Sequence, residues 1–134
     1  MATTFPLELV TPERMLFSDQ VQMVRAPGVE GSFGVLAHHA PMLTELTTGL
    51  IKLVLADGRE AFIATSGGFL QVTREKVIIL ADTAELSEEI DIERARAAAE
   101  RARQRLAMPG TSGEEERLAL ERALNRIRVA QMRS

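Results

Sequence analysis

The chain of 134 residues contains no cysteine, tryptophan or tyrosine, and only five phenylalanines. Lacking cysteine, it can build no disulfide framework, no thiolate nucleophile and no cysteine-based zinc site. Lacking Trp and Tyr, it has few of the stacking platforms that single-stranded nucleic acids need, so nucleic acid is not an expected partner. Apolar runs such as Val77–Ala81 are no longer than a strand, and residues 1–5 have neither the basic start nor the apolar core of a signal peptide. No direct membrane insertion is expected, and the setting reads as cytoplasmic. The chain also lacks a G-x-x-x-x-G-K-[ST] loop, a G-x-G-x-x-G turn after a strand and a G-x-S-x-G elbow. His38 and His39 are adjacent, so in extended backbone they point to opposite faces, and no third ligand stands at a useful spacing. Neither a catalytic residue nor a metal site is expected, and no cofactor is required.

Lysine is missing from residue 85 onward. Before Glu85 there are six basic and nine acidic residues; from Glu85 on there are ten of each, and all ten bases are arginine. Arginine's planar fork binds carboxylate or phosphate through two parallel hydrogen bonds, so the tail has the chemistry of anion recognition.

Short apolar runs fill the front half. Leu7-Glu8-Leu9 alternates as a half-buried strand does. Met15-Leu16-Phe17 and residues 21–26 read as strands separated by a turn at Ser18-Asp19-Gln20. Residues 31–36 form a strand interrupted by Gly34, which suggests a bulge or a close backbone approach. The clearest signal is residues 51–56 and 59–65 joined by Asp57-Gly58, a tight hairpin. Ser66-Gly67-Gly68 reads as a bend that lets a new strand start at Phe69. The unbroken run Val77–Ala81 suggests burial on both faces. Strands this close together, with no helix between them, imply an antiparallel β-sandwich or barrel over residues 1–84 rather than βαβ units.

Residues 85–134 read as an antiparallel two-helix hairpin. Ser87 is the expected cap of the first helix, with Glu88 and Glu89 suiting its positive end. Ala95, Ala98, Ala99, Ala102 and Leu106 then recur at spacings of three and four, and Pro109-Gly110 stops the helix. Thr111 and Ser112 each precede a glutamate by three residues, so either can restart a helix through a capping box. The apolar face of that second helix runs through Leu120, Ala123, Leu124, Ile127 and Ala130. An alanine seam stabilises the hairpin less than a leucine seam would, which leaves it able to open. Asp91 and Arg94 stand at the start of the first helix, where they can pair or grip a ligand together, and Arg101 lies two turns beyond Arg94. Arg122 and Arg126 repel at i,i+4 unless an anion lies between them. A phosphate chain or an acidic helix of a partner would meet that need.

The succession Gly34-Val35-Leu36, His39-Ala40-Pro41-Met42, Ser66-Gly67-Gly68-Phe69-Leu70-Gln71-Val72, Val77–Ala81 and Ile90-Asp91-x-x-Arg94-Ala95 resembles the epsilon subunit of bacterial F-type ATP synthase. It extends over the whole chain. The resemblance implies a non-catalytic rotor subunit on the cytoplasmic face of the bacterial inner membrane, peripheral to it. Its sandwich would bind the gamma subunit and rest on the c-ring, with Ser32, His38, His39, Pro41 and Met42 near those contacts. Ser32 stands where some members carry an acid, and Ala37-His38 replaces a common Pro-Gly. The motif Ile/Leu-Asp-x-x-Arg-Ala marks the ATP site in members that bind ATP. Carried over by position, it implies ATP as a regulatory ligand of Ile90, Asp91, Arg94 and Ala95, with Glu85, Arg101, Arg122 and Arg126 completing the pocket. The tail would fold down to permit rotation, or extend to contact beta and alpha subunits and block hydrolysis. The alternative is a freestanding nucleotide-binding sensor with a β-sandwich interaction domain.

Overall fold

A computed structural model describes residues 3–110 and 113–132. Seven strands come first: β1 (Phe5–Val10), β2 (Met15–Gly28), β3 (Gly31–Leu36), β4 (Met42–Leu55), β5 (Glu60–Val72), β6 (Val77–Ala81) and β7 (Ala84–Leu86). A single 3-10 turn, Ser87–Glu89, leads to α1 (Ile92–Leu106) and α2 (Glu114–Ala130). The expected β-sandwich followed by a two-helix hairpin is what forms.

The strands run in the order β1-β6-β5-β4-β2-β3, and β1 also pairs with β2, so five of them close into a flattened ring. Closure removes sheet edges that would otherwise invite pairing with other chains. Leu7, Leu9, Val21, Val24, Ile51, Leu53, Ile63, Leu70 and Ile79 fill its interior and are fully buried. All pairings but one are antiparallel; β1 and β6 run parallel, with Leu7 opposite Val77.

Length is what local patterning misjudges. No turn forms at Ser18-Asp19-Gln20, because these residues pair with Glu8, Leu7 and Pro6 of β1 inside one 14-residue strand. Ser66-Gly67-Gly68 does not end a strand either. There β5 bends and passes from pairing with β7 to pairing with β6. Gly68 has φ +134, and a Cβ on it would collide with the Leu80 carbonyl oxygen and lie 2.8 Å from Ala81 Cα, so only glycine fits. At Gly34, by contrast, nothing approaches an added Cβ more closely than 3.8 Å. Leu80, expected to be buried with the rest of its run, is exposed on the outer face of β6.

Helix α1 starts later than Ser87. Ser87 is buried within the 3-10 turn, Ile90 stays extended, and Asp91 is the cap, its Oδ1 accepting the Arg94 N–H at 3.1 Å. The extended backbone at Ile90 seats its side chain against Ala64, Val129 and Ala130. The α1 seam is alanine as read, with Ala95, Ala99 and Ala102 buried. The face of α2 departs from the expectation: Leu124 is exposed, while Asn125 and Val129 are buried. A helix packed on both a sheet and another helix has two buried stripes, which a single-stripe reading merges. Thr111 and Ser112, the expected caps of α2, lie outside the described residues; the residue before its first turn is Gly113, at φ +80.

Candidate functional site

The hairpin lies down on the sandwich, and α2 makes the contact, packing on β4 and β5. Three interactions hold it there. Val129 and Ala130 bury against Ala64 and Ile90. Arg126 grips Glu85 of β7 through both carboxylate oxygens, Nε at 2.6 Å and Nη2 at 3.3 Å. Asn125 donates from Nδ2 to the Gly49 carbonyl at 2.8 Å and to that of Thr65 at 3.5 Å.

Between sandwich and hairpin these contacts leave a cavity of about 330 Å³. Its sandwich wall carries Thr65, Ser66, Thr83 and Glu85; its helical wall carries Ala98, Ala119, Arg122, Asn125 and Arg126. Thr83 Oγ1 donates to Ser66 Oγ at 2.7 Å, so two hydroxyls face two guanidinium groups across the space. The anion that Arg122 and Arg126 need is supplied in part by the chain itself, as Glu85. Arg122 has no ion pair among the described residues, so the cavity keeps uncompensated positive charge.

The expected nucleotide residues divide into three groups. Glu85, Arg122 and Arg126 line the cavity together. Arg94 and Arg101 stand one turn on either side of Ala98 on the same face of α1, which aims that face at the cavity. Arg101 lines an adjoining cleft of about 240 Å³ that shares Ala98 and Ala119 with the first. Ile90 and Ala95 are buried in packing, and Asp91 is engaged with backbone. Asp91 does not pair with the Arg94 side chain; it binds that residue's N–H. On the exposed face of α1, Glu100 pairs with Arg103 at 3.8 Å and Glu93 with Arg96 at 2.9 Å.

Elsewhere on the sandwich, Ser32, His39 and Met42 share a groove of about 570 Å³ with Glu30 and Glu45. His38, with φ +65, lines two neighbouring clefts instead, one of them with Arg74 and Lys76. His39 Nδ1 donates to the Ala40 carbonyl at 2.7 Å, leaving Nε2 for another partner. Pro41 is exposed between them. Among the described residues no group of three His, Cys, Asp or Glu could hold a metal, and no helix is long and apolar enough to cross a membrane.

Sequence reasoning missed Asn125, Ser66 and Thr83. A single asparagine amid the arginines and apolar residues of a helix was the only available sign of the first. Nothing local marks the two hydroxyls, which meet only because β5 bends beside the β6–β7 connection.

Two family models account for most of the chain. The ATP synthase delta/epsilon chain β-sandwich domain matches residues 4–87, and the long α-helix domain of the same chain matches residues 88–131. The ATP synthase epsilon chain of Desulforamulus reducens is 44% identical over 98% of this chain and 100% of its own length. That of Carboxydothermus hydrogenoformans is 51% identical over 80% of this chain and 79% of its own. Among solved structures, a chain of the Euglena gracilis mitochondrial ATP synthase, in an OSCP/F1/c-ring assembly, superposes with a TM-score of 0.82. It is 26% identical, over 99% of this chain and 84% of that one. With sandwich and helical hairpin both matched, and relatives alike over nearly their full length, the chain belongs to the ATP synthase epsilon family, whose members are non-catalytic subunits of the complex.

Proposed function

We propose that this subunit works in the central stalk as a nucleotide-sensing brake on ATP hydrolysis. The observation that carries the reading is the cavity between the two parts, with Arg122 and Arg126 on one wall and Ser66, Thr83 and Glu85 on the other. A polyanion there touches both parts only while the hairpin is down. ATP that binds the folded-down form alone favours it by RT ln(1 + [L]/Kd), so nucleotide shortage releases the tail. Arg94 and Arg101, flanking Ala98, reach the phosphates or ribose from α1. Asp91 serves by capping α1, and Ile90 and Ala95 by packing.

Released, the arginine-rich helices contact acidic segments of the beta and alpha subunits and stop rotation in the hydrolysis direction. The sandwich binds the gamma subunit, and its groove at Ser32, His39 and Met42 meets the c-ring. The resulting location is peripheral, on the cytoplasmic face of a bacterial membrane. Support for the rotor partners comes from the likeness to chains of F1 and c-ring assemblies.

Calorimetric titration of the isolated chain with ATP tests the sensor: saturable binding at or below millimolar nucleotide is expected, and none at that concentration refutes it. Truncation after Leu86 keeps β7 paired with β5 and should raise hydrolysis by the reconstituted complex. Unchanged hydrolysis would sink the inhibitory tail. The rival reading, a freestanding sensor, requires that the chain fail to co-purify with gamma and the catalytic ring.

A further inference from the structure

We propose that Asn125 is the positioning residue that sets where α2 docks on the sandwich, and so presents Arg122 and Arg126 to the cavity. This rests on the reading of that cavity as an anion site.

Asn125 is 3% exposed, one of the few buried polar side chains outside the strands. Its amide orientation is dictated by its neighbours. The Gly49 and Thr65 carbonyls can only accept, so they face Nδ2; Arg128 can only donate, and its Nη2 meets Oδ1 at 2.9 Å. Gly49 and Thr65 stand directly opposite each other on β4 and β5, so one carboxamide bridges a matched cross-strand pair. The apolar contact beside it, Ala64, Ile90, Val129 and Ala130 with Leu50, Phe62 and Ile92 packed around them, is non-directional. Such a contact favours docking but carries no directional bond to fix the register.

Asn125 makes the choice. A slip of one helical turn, about 5.4 Å, would bring Glu121 or Val129 over the two carbonyls. A carboxylate has only acceptors to offer them and valine has nothing, so both slips lose the two Asn125 bonds, and the first also sets a buried carboxylate against carbonyl oxygens. The residues three away are Arg122 and Arg128, whose long side chains would hold the helix off the sheet. One register is satisfied, and in it Arg122 and Arg126, which flank Asn125, face Ser66, Thr83 and Glu85.

The test compares Asn125→Ala with Val129→Ala in the full-length chain. Spin labels on exposed positions of the sandwich and of α1, Thr47 and Gln104, report the folded-down fraction and its distance distribution, and calorimetry reports ATP affinity. A side chain that only holds the hairpin down lowers affinity in proportion to the folded-down fraction, so both variants would follow one relation. A positioning residue does more: Asn125→Ala should broaden the folded-down distance and bind ATP about tenfold more weakly than its folded-down fraction predicts. If wild type binds ATP and Asn125→Ala falls on the Val129→Ala relation with an unbroadened distance, the proposal is overturned while the nucleotide reading stands. If wild type binds no ATP, the nucleotide reading fails and the distances decide the register: an unchanged distribution in Asn125→Ala overturns it.

Discussion

Replacing Ile90 by alanine separates its packing role from any contact with ligand. Ile90 is 3% exposed and lies beneath the last turn of α2, against Val129 and Ala130, with Ala64 below it on the sheet. Truncation removes three carbons, worth about 0.8 kcal/mol each, so about 2.4 kcal/mol is lost if α2 settles into the gap. The loss falls on docking. Two of the three buried neighbours belong to α2, and none belongs to the ring interior filled by Ile51, Leu53 and Ile63. At 1.4 kcal/mol per factor of ten, the folded-down to released ratio should fall roughly fiftyfold. Amide hydrogen exchange reads this directly. Protection along α2 should drop by up to that factor, while the amides of β4 and β5 around Ile51 and Ile63 keep theirs. Equal loss in both regions would show that Ile90 belongs to the sandwich core, and an unaffected α2 would show that it does not hold the hairpin. Either outcome refutes the packing account.

Further expectations follow from single contacts. Asp91→Ala removes the side-chain acceptor of the Arg94 N–H and should cost α1 about 1 kcal/mol, seen as faster exchange confined to its first turn; an unchanged first turn would argue against capping. Gly68→Ala forces a Cβ against the Leu80 carbonyl at φ +134, where β5 changes partners, and should cost the whole sandwich roughly 3 kcal/mol of unfolding free energy or more, read as a lower urea midpoint, or prevent folding. A wild-type midpoint would mean the bend relaxes freely. Glu85→Gln loses an ion pair whose side chains are 26% and 35% exposed, so screening limits its effect on hairpin docking to about 1 kcal/mol. That increment should shrink between low and high salt; one that is large and salt-independent would contradict the screened pair.

The architecture was legible because its signals are local and repeated. Asp57-Gly58 between two apolar runs specified the β4–β5 hairpin, and alanines at spacings of three and four specified the α1 seam. Ser18-Asp19-Gln20 misled because turn-forming residues pair as strand when β1 lies alongside. Ser87 misled because a capping residue is only potential until the chain beyond it turns helical, and Ile90 had a hydrophobic contact to make first. Of the candidate site, charge composition identified the arginines. It could not show that Arg126 already holds Glu85 or that Arg122 has no ion pair among the described residues, since both depend on where β7 lies beneath α2.

Sequence alone determined the division into a β-sandwich and an arginine-bearing hairpin, the alanine seam and the family to which the chain belongs. Periodicity and residue type act through neighbours three or four positions away, which any reading of the chain can see. Tertiary structure decided the rest: that the ring closes through a parallel β1–β6 pair, and that Ile90 and Ala95 pack instead of lining the cavity. It also decided that Asn125 bridges Gly49 and Thr65, 76 and 60 residues distant along the chain. Hydrogen bonds and cavities of that span arise from the docking of elements on one another, and no local pattern encodes the register in which they dock.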